Sequence, residues 1–272
     1  VRTLRELLLL FGIMALVGGG VFAAWRWWPH DNTHDPRADS ARENLLEART
    51  EGRLRDLLRR EVAADASKEP TVLDGVRRIQ DRLAPAIGKT SHPIEVFVVE
   101  SPTVNALCLP GGIIVVYSGL IRRMESAEEL AGVLAHEIAH AVHRDSIRAL
   151  KRELGMAALL TLAGGRTDAL TTRLFRRLVS SGFSRQQEQD ADKEATRMLV
   201  AVDIDPAALA DALRHMRQGN ESTAGVLQYI STHPDIDARI KTVEAVSAAW
   251  TGKARPIDLD WKHYRAQFSV LR

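Results

Sequence analysis

His136, Glu137 and His140 stand in the order H-E-x-x-H within the stretch SAEELAGVLAHEIAHAVHRD, residues 126–145. Imidazoles four residues apart on a helix lie one turn above each other, so both can face a single ion while the carboxylate lies beside it. Two such histidines and a carboxylate begin a zinc site in which the ion polarises a carbonyl and Glu137 serves as general base toward water. That chemistry needs a helix under the motif and a third protein ligand from another element.

The helix is written locally. Ser126 and Glu129 make an S-x-x-E start, and Leu130, Val133, Leu134, Ile138, Ala141 and Val142 recur at helical spacing, predicting a helix from Ala127 onward. Ahead of it, residues 94–100 (IEVFVVE) and 112–117 (GIIVVY) are β-branched runs, with Ser101-Pro102 and Pro110-Gly111-Gly112 punctuating the stretch 104–109 between them, predicting a small sheet of about three strands. Helical patterns cover 41–64 and 71–84 before the sheet. After the motif they cover 147–163, 170–178, 185–200, 206–217 with Asp205 as cap, and 234–249. The class is α+β, predominantly helical.

His143 is not the third ligand, because it lies two turns beyond His136 and cannot reach an ion held between His136 and His140. The segment GFSRQQEQDADKEAT, residues 182–196, places Glu188 and Asp192 four apart on one helix face. Glu188 could complete a His2Glu set while Asp192 accepts the free ring N–H of a ligating histidine and fixes its tautomer. Spacing alone leaves the alternative open, since acidic pairs four apart are common on exposed helices.

LAHEIAHAVHRDS, SRQQEQDAD and STHPDIDARI, in that order, resemble the signature segments of the membrane-associated gluzincin peptidases related to HtpX, the CaaX prenyl protease and the mitochondrial inner-membrane stress peptidase. The likeness runs over about 94–246 and is closest in style to single-span quality-control peptidases. It implies a gluzincin (zincin-like) catalytic domain holding one Zn2+ on His136, His140 and Glu188, with Asp192 as their supporting carboxylate. It also implies that Asn105, Ala106, Leu107 and Gly111 belong to an edge strand and turn beside the cleft. An unpaired edge offers backbone groups to an extended peptide whatever its sequence. By the same likeness His233 approaches the metal, as an oxyanion donor or in the open position, and Arg239 holds it or the neighbouring carboxylates. Read without the likeness, His233-Pro234 could simply cap the last helix.

The remaining composition bounds these expectations. A length of 272 residues allows one substantial core, and a net charge of +2 gives no argument for nucleic acid. The arginine-rich runs 53–60 and 173–177 are interrupted by leucines and read as solvated helix faces. The single cysteine, Cys108, excludes an intramolecular disulfide and a multi-cysteine metal site. Residues 7–25 carry no charge and approach the length of a helical span, with Arg2 and Arg5 before it and Trp27 and Trp28 after it. The expected organisation is an anchor or cleaved signal sequence over 1–28, a polar linker over 29–40, the zinc peptidase domain over 41–250 and a tail over 251–272. The tail, with Trp261, Tyr264 and Phe268, is expected to pack on the domain. The leading arginines put the domain on the periplasmic side, membrane-anchored, or soluble there after signal cleavage. The expected function is zinc-dependent endopeptidase action on misfolded or membrane-associated polypeptides. The rival expectation is an anchored chaperone or assembly factor holding unfolded clients around a gated or structural zinc.

Overall fold

The computed structural model describes residues 36–164, 182–218, 229 and 232–268. The apolar run 7–25, residues 29–35 of the expected linker and the pattern over 170–178 lie outside the described residues, while residues 36–40, also expected to be linker, are helical. Among the described residues no helix is long and apolar enough to cross a membrane. The chain divides into a first unit up to Leu45 and a second, Leu46–Arg272, which holds everything discussed below.

Helix α1 (Pro36–Asp65) begins five residues before the periodicity predicts, and its part from Leu46 belongs to the second unit. Helix α2 (Pro70–Leu83) opens on a proline, whose missing N–H costs nothing in a first turn. Three strands follow: β1 (Glu95–Val99), β2 (Ala106–Leu109) and β3 (Ile113–Tyr117). Their order is β1-β3-β2, with β1 parallel and β2 antiparallel to β3. Strand β3 is apolar at successive positions because it is central and covered on both faces. Ile114 and Val116 enter the larger core with α2 and the later helices, while Ile113 and Val115 meet Leu54, Leu58 and Val62 of α1 and Ile147 and Leu150. The turn after β2 requires glycine, since Gly111 and Gly112 both have positive φ, 82° and 77°.

The short helix α3 (Ser118–Arg123) leads into α4 (Ala127–His143), the motif helix. Helices α5 (Asp145–Gly164), α6 (Arg185–Ala201), α7 (Ala207–Arg217), α8 (Ile236–Ala249) and α9 (Trp261–Ala266) follow. Two details depart from the sequence reading. Helix α5 is broken at Gly155 (φ 75°, ψ 160°), a conformation that glycine tolerates. Arg55 is buried rather than solvated: it donates to the Gly111 carbonyl and pairs with Glu95. Asp205 caps the start of α7 by accepting Ala207 N–H at 2.8 Å. The tail packs on the domain, with Tyr264 Oη donating to Val72 O and Trp261 Nε1 to Met124 O.

Candidate active site

Helix α4 is the axis of the site. Ser126 Oγ accepts Glu129 N–H at 3.1 Å, while the Glu129 carboxylate reaches one residue further back to Glu125 N–H rather than closing a reciprocal box. Arg144 in the left-handed region (φ 56°) ends the helix. Between these ends every residue from Glu129 to His140 is buried, so the motif is presented inside the protein, away from bulk water. Close approach of α7 makes this possible: a β-carbon at Gly132 would lie 2.8 Å from Leu209 Cα.

Helix α6 brings the carboxylates. Its start is a reciprocal capping box in which Ser184 Oγ accepts Gln187 N–H and Gln187 Oε1 accepts Ser184 N–H. Glu188 and Asp192 lie on its buried face, 1% and 2% exposed. His136 Nδ1 lies 2.9 Å from Asp192 Oδ1, and His140 Nδ1 lies 2.9 Å from Asp145 Oδ2. A carboxylate at each Nδ1 holds the proton there and leaves the Nε2 lone pairs free. Those two Nε2 atoms face each other at 3.1 Å, with Glu188 oxygens 3.5 Å from His136 Nε2 and 3.3 Å from His140 Nε2. Acceptors do not converge on one point without a cation to share, and the donor set of two imidazoles and a carboxylate suits zinc. His136, His140, Glu188 and His233 each offer a ligand atom within 4.8 Å of the others.

The electrostatics agree with that fit. Of four buried carboxylates about the site, Glu137, Asp145, Glu188 and Asp192, the last two meet the buried guanidinium of Arg239. Arg239 donates to both oxygens of Asp192 at 2.8 Å and its Nη1 lies 2.6 Å from Glu188 Oε2, as an ion pair outside hydrogen-bond geometry. Burial alone would raise Glu188, but His233 and Arg239 outweigh it and hold the carboxyl well below the usual range. Burial likewise opposes ionised Asp192, yet Arg239 and His136 keep it at about 2. Burial disfavours a charged His140, and the Asp145 and Glu188 carboxylates overcome this and raise it to about 9, so that without a metal ion a proton takes the cation's place at Nε2. The pocket calls for positive charge.

Glu137 is fully buried and neither of its oxygens has a hydrogen-bond partner among the described residues. An unpartnered buried carboxylate is costly to keep, so its position beside the converging ligands marks a group held for chemistry. His233 Nδ1 lies 3.1 Å from Glu188 Oε1 and 3.4 Å from His136 Nε2, while its Nε2 is 3.7 Å from Glu137 Oε1. It stands at the cluster and is not a simple cap: its backbone N–H is bonded to Tyr229 O and the helix α8 starts three residues later. The expected site residues thus fall in two groups. His136, Glu137, His140, Glu188, Asp192, His233 and Arg239 come together, whereas Asn105, Ala106 and Leu107 lie at and along β2, and Gly111 lies in the turn after it. Strand β2 is an edge of the sheet. Asn105 is fully buried and its side-chain amide has no hydrogen-bond partner among the described residues.

Four contributors escaped the sequence reading. Asp145 reaches His140 because the left-handed Arg144 folds the chain back, and Gln187 Nε2 holds its other oxygen at 2.8 Å. Phe183 stacks on the His140 ring with centroids 3.9 Å apart, and Tyr229 stacks on His233 at 4.5 Å. The adjacent H-R-D in the motif segment was a usable signal for Asp145. The two aromatic contacts had none, since they join separate parts of the chain.

A buried H-E-x-x-H helix, a carboxylate brought beside it by a following helix and a small preceding sheet are the parts of a zinc metalloendopeptidase of the gluzincin type. The chain belongs to peptidase family M48, whose pattern matches residues 73–247. It is 29% identical to the mitochondrial metalloendopeptidase OMA1 of Schizosaccharomyces pombe over 245 residues, 86% of this chain and 70% of that protein. It is 33% identical to OMA1 of Arabidopsis thaliana over 182 residues, 64% of this chain, and 25% identical to the β-barrel assembly-enhancing protease of Escherichia coli K12 over 202 residues, 65% of this chain. These matches span 37% and 39% of the latter two proteins.

Proposed function

We propose that this protein hydrolyses peptide bonds of unfolded or extended polypeptides, with His136, His140 and Glu188 holding a single Zn2+ and Glu137 as general base. The observation that carries this is the convergence of two imidazole lone pairs and a carboxylate beside an unpartnered, fully buried Glu137. When bound, the ion supplies Lewis acidity to the scissile carbonyl and lowers the pKa of water toward neutrality. Glu137 takes the proton from the attacking water and returns it to the leaving amine. Asp192 and Asp145 hold the two ligand histidines in the Nδ1–H tautomer, and Arg239 keeps Asp192 and Glu188 ionised. The outer edge of the strand that Asn105, Ala106 and Leu107 begin pairs with the substrate backbone through its outward-facing groups, those of Ala106 and Cys108, and the turn at Gly111 fixes that edge.

The burial of every ligand and the position of His233 support a resting site that is closed, with His233 in the place that water and substrate must take. A gated site suits an enzyme that must not degrade folded neighbours. Anchoring by residues 1–28, a catalytic domain on the periplasmic side and a role in quality control of misfolded or membrane-associated proteins complete the proposal. The rival chaperone reading has no use for Glu137. Digestion of casein by the full chain tests it: a chelator should abolish cleavage and one equivalent of Zn2+ restore it. Cleavage indifferent to the chelator would remove zinc from the account.

A further inference from the structure

Backbone direction alternates along an antiparallel strand. Tyr117 N–H donates to the Asn105 carbonyl at 3.2 Å, and the register sets Leu107 against Val115 and Leu109 against Ile113. Asn105, Leu107 and Leu109 therefore turn their backbone groups toward β3. Ala106 and Cys108 turn theirs outward, where among the described residues no strand pairs with them. These outward groups are the ones an added strand would use.

One of them is already taken. Ser146 Oγ donates to the Cys108 carbonyl at 2.5 Å, and both residues are buried, 4% and 6% exposed. The gap beside this contact, bordered by Glu51, Leu109, His140 and Arg144, measures about 10 Å³. That is at most room for one water and far too little for a peptide. A hydroxyl here presents the Cys108 carbonyl with the same kind of donor that the N–H of a paired polypeptide would present.

The neighbours of Ser146 tie it in place. Arg144 Nε and Nη2 donate to Glu51 Oε2 at 2.8 and 2.6 Å, and Glu51 Oε1 accepts Gly111 N–H at 3.2 Å in the turn that ends β2. Asp145 holds His140 and is itself held by Gln187. Three successive residues thus bind the strand's turn, a ligand histidine and the strand's edge.

We propose that the corner Arg144-Asp145-Ser146 is an intramolecular strap over the substrate-pairing edge, with Ser146 standing in for a substrate N–H at the Cys108 carbonyl. A polypeptide pairs along β2 only by displacing this hydroxyl. The proposal rests on the reading of β2 as the edge that receives extended substrate. Ser146 is a positioning residue: it acts on binding and touches no reacting atom. Removing its hydroxyl leaves a buried carbonyl without a donor in the strapped state and changes nothing in the paired state, so it favours the peptide.

Fluorescence anisotropy of labelled β-casein on the zinc-loaded full chain carrying Glu137→Gln reads binding without turnover. Adding Ser146→Ala should tighten binding about tenfold. Ser146→Thr, which keeps the hydroxyl, should match serine, and Ser146→Val, of threonine's shape without the hydroxyl, should match alanine. With Glu137 present, Ser146→Ala should lower KM by a similar factor and leave kcat within twofold. Equal or weaker binding by the alanine and valine forms, with zinc content and melting temperature unchanged, would overturn the strap. Should the alanine form melt early, the threonine and valine pair decides alone. Absence of casein binding by every form would overturn the pairing edge and the strap together. Binding without cleavage by the unsubstituted chain would remove only the peptidase reading, because the serine-to-alanine comparison is made in the uncleaving form.

Discussion

Arg239 is one guanidinium serving two carboxylates, and its placement explains how so acidic a pocket stays buried. Bidentate contact with Asp192 and the ion pair with Glu188 keep both groups ionised away from water. Asp192 in turn fixes the His136 tautomer. Asp192→Asn should therefore weaken zinc affinity by roughly 10- to 100-fold, the usual cost of losing a carboxylate behind a ligand histidine, measured by competition with a chromophoric chelator. Unchanged affinity would remove Asp192 from that role. The residues of this centre were unequally legible. His136, Glu137 and His140 announce themselves because their relation is a single helical turn. Glu188 and Asp192 were visible as a pair, but only their burial separates them from an ordinary exposed acidic face. Asp145 depends on a left-handed turn at Arg144, and Phe183 and Tyr229 on contacts between distant segments, which no spacing rule expresses.

Helix α4 is fixed by its ends and by one glycine. Ser126 starts it, Arg144 stops it, and Gly132 lets the α7 backbone approach. Gly132→Ala should destabilise the protein by about 1–3 kcal/mol, because the added carbon meets backbone atoms that cannot rotate away; urea denaturation measures it. An unchanged midpoint would mean that α7 shifts without cost. The element reading succeeded where the signal was periodic and local: three strands, the motif helix and most later helices. It failed at Arg55, which sits in an arginine-rich run yet faces inward to the Gly111 turn and Glu95. Neighbours in sequence could not reveal that, since the apolar and polar faces of α1 are defined by the sheet it meets. The break at Gly155 was likewise hidden, because a lone glycine is compatible with an unbroken helix.

For the whole molecule, three buried carboxylates with lowered pKa link the site to overall stability. Asp192 falls from 3.8 to about 2, and Asp145 and Glu188 are also lowered, in Glu188 well below 4.5. In each, burial works in the opposite direction and is outweighed by neighbouring positive or donor groups. A depressed folded pKa gives stability that is fully present above the unfolded value and is lost as pH falls through the folded one. Stability should hold between about pH 4.5 and 6.5 and decline toward pH 2, with Asp192 alone accounting for about 2 kcal/mol; in the metal-free chain it should also fall as pH rises toward 9, where His140, raised from 6.5 to about 9, loses its proton. Denaturant titrations at pH 6, 4 and 3 check this, and a flat profile would contradict the buried charge network. The same network joins α4 and α6 through the proposed zinc ligands, with the sheet between two apolar layers. The most direct test of the central claim is the Glu137→Gln chain, with zinc content and casein turnover measured on one preparation. The account predicts one zinc per chain and turnover lowered by roughly 10²- to 10⁴-fold. Turnover at the unsubstituted rate with zinc retained would contradict it.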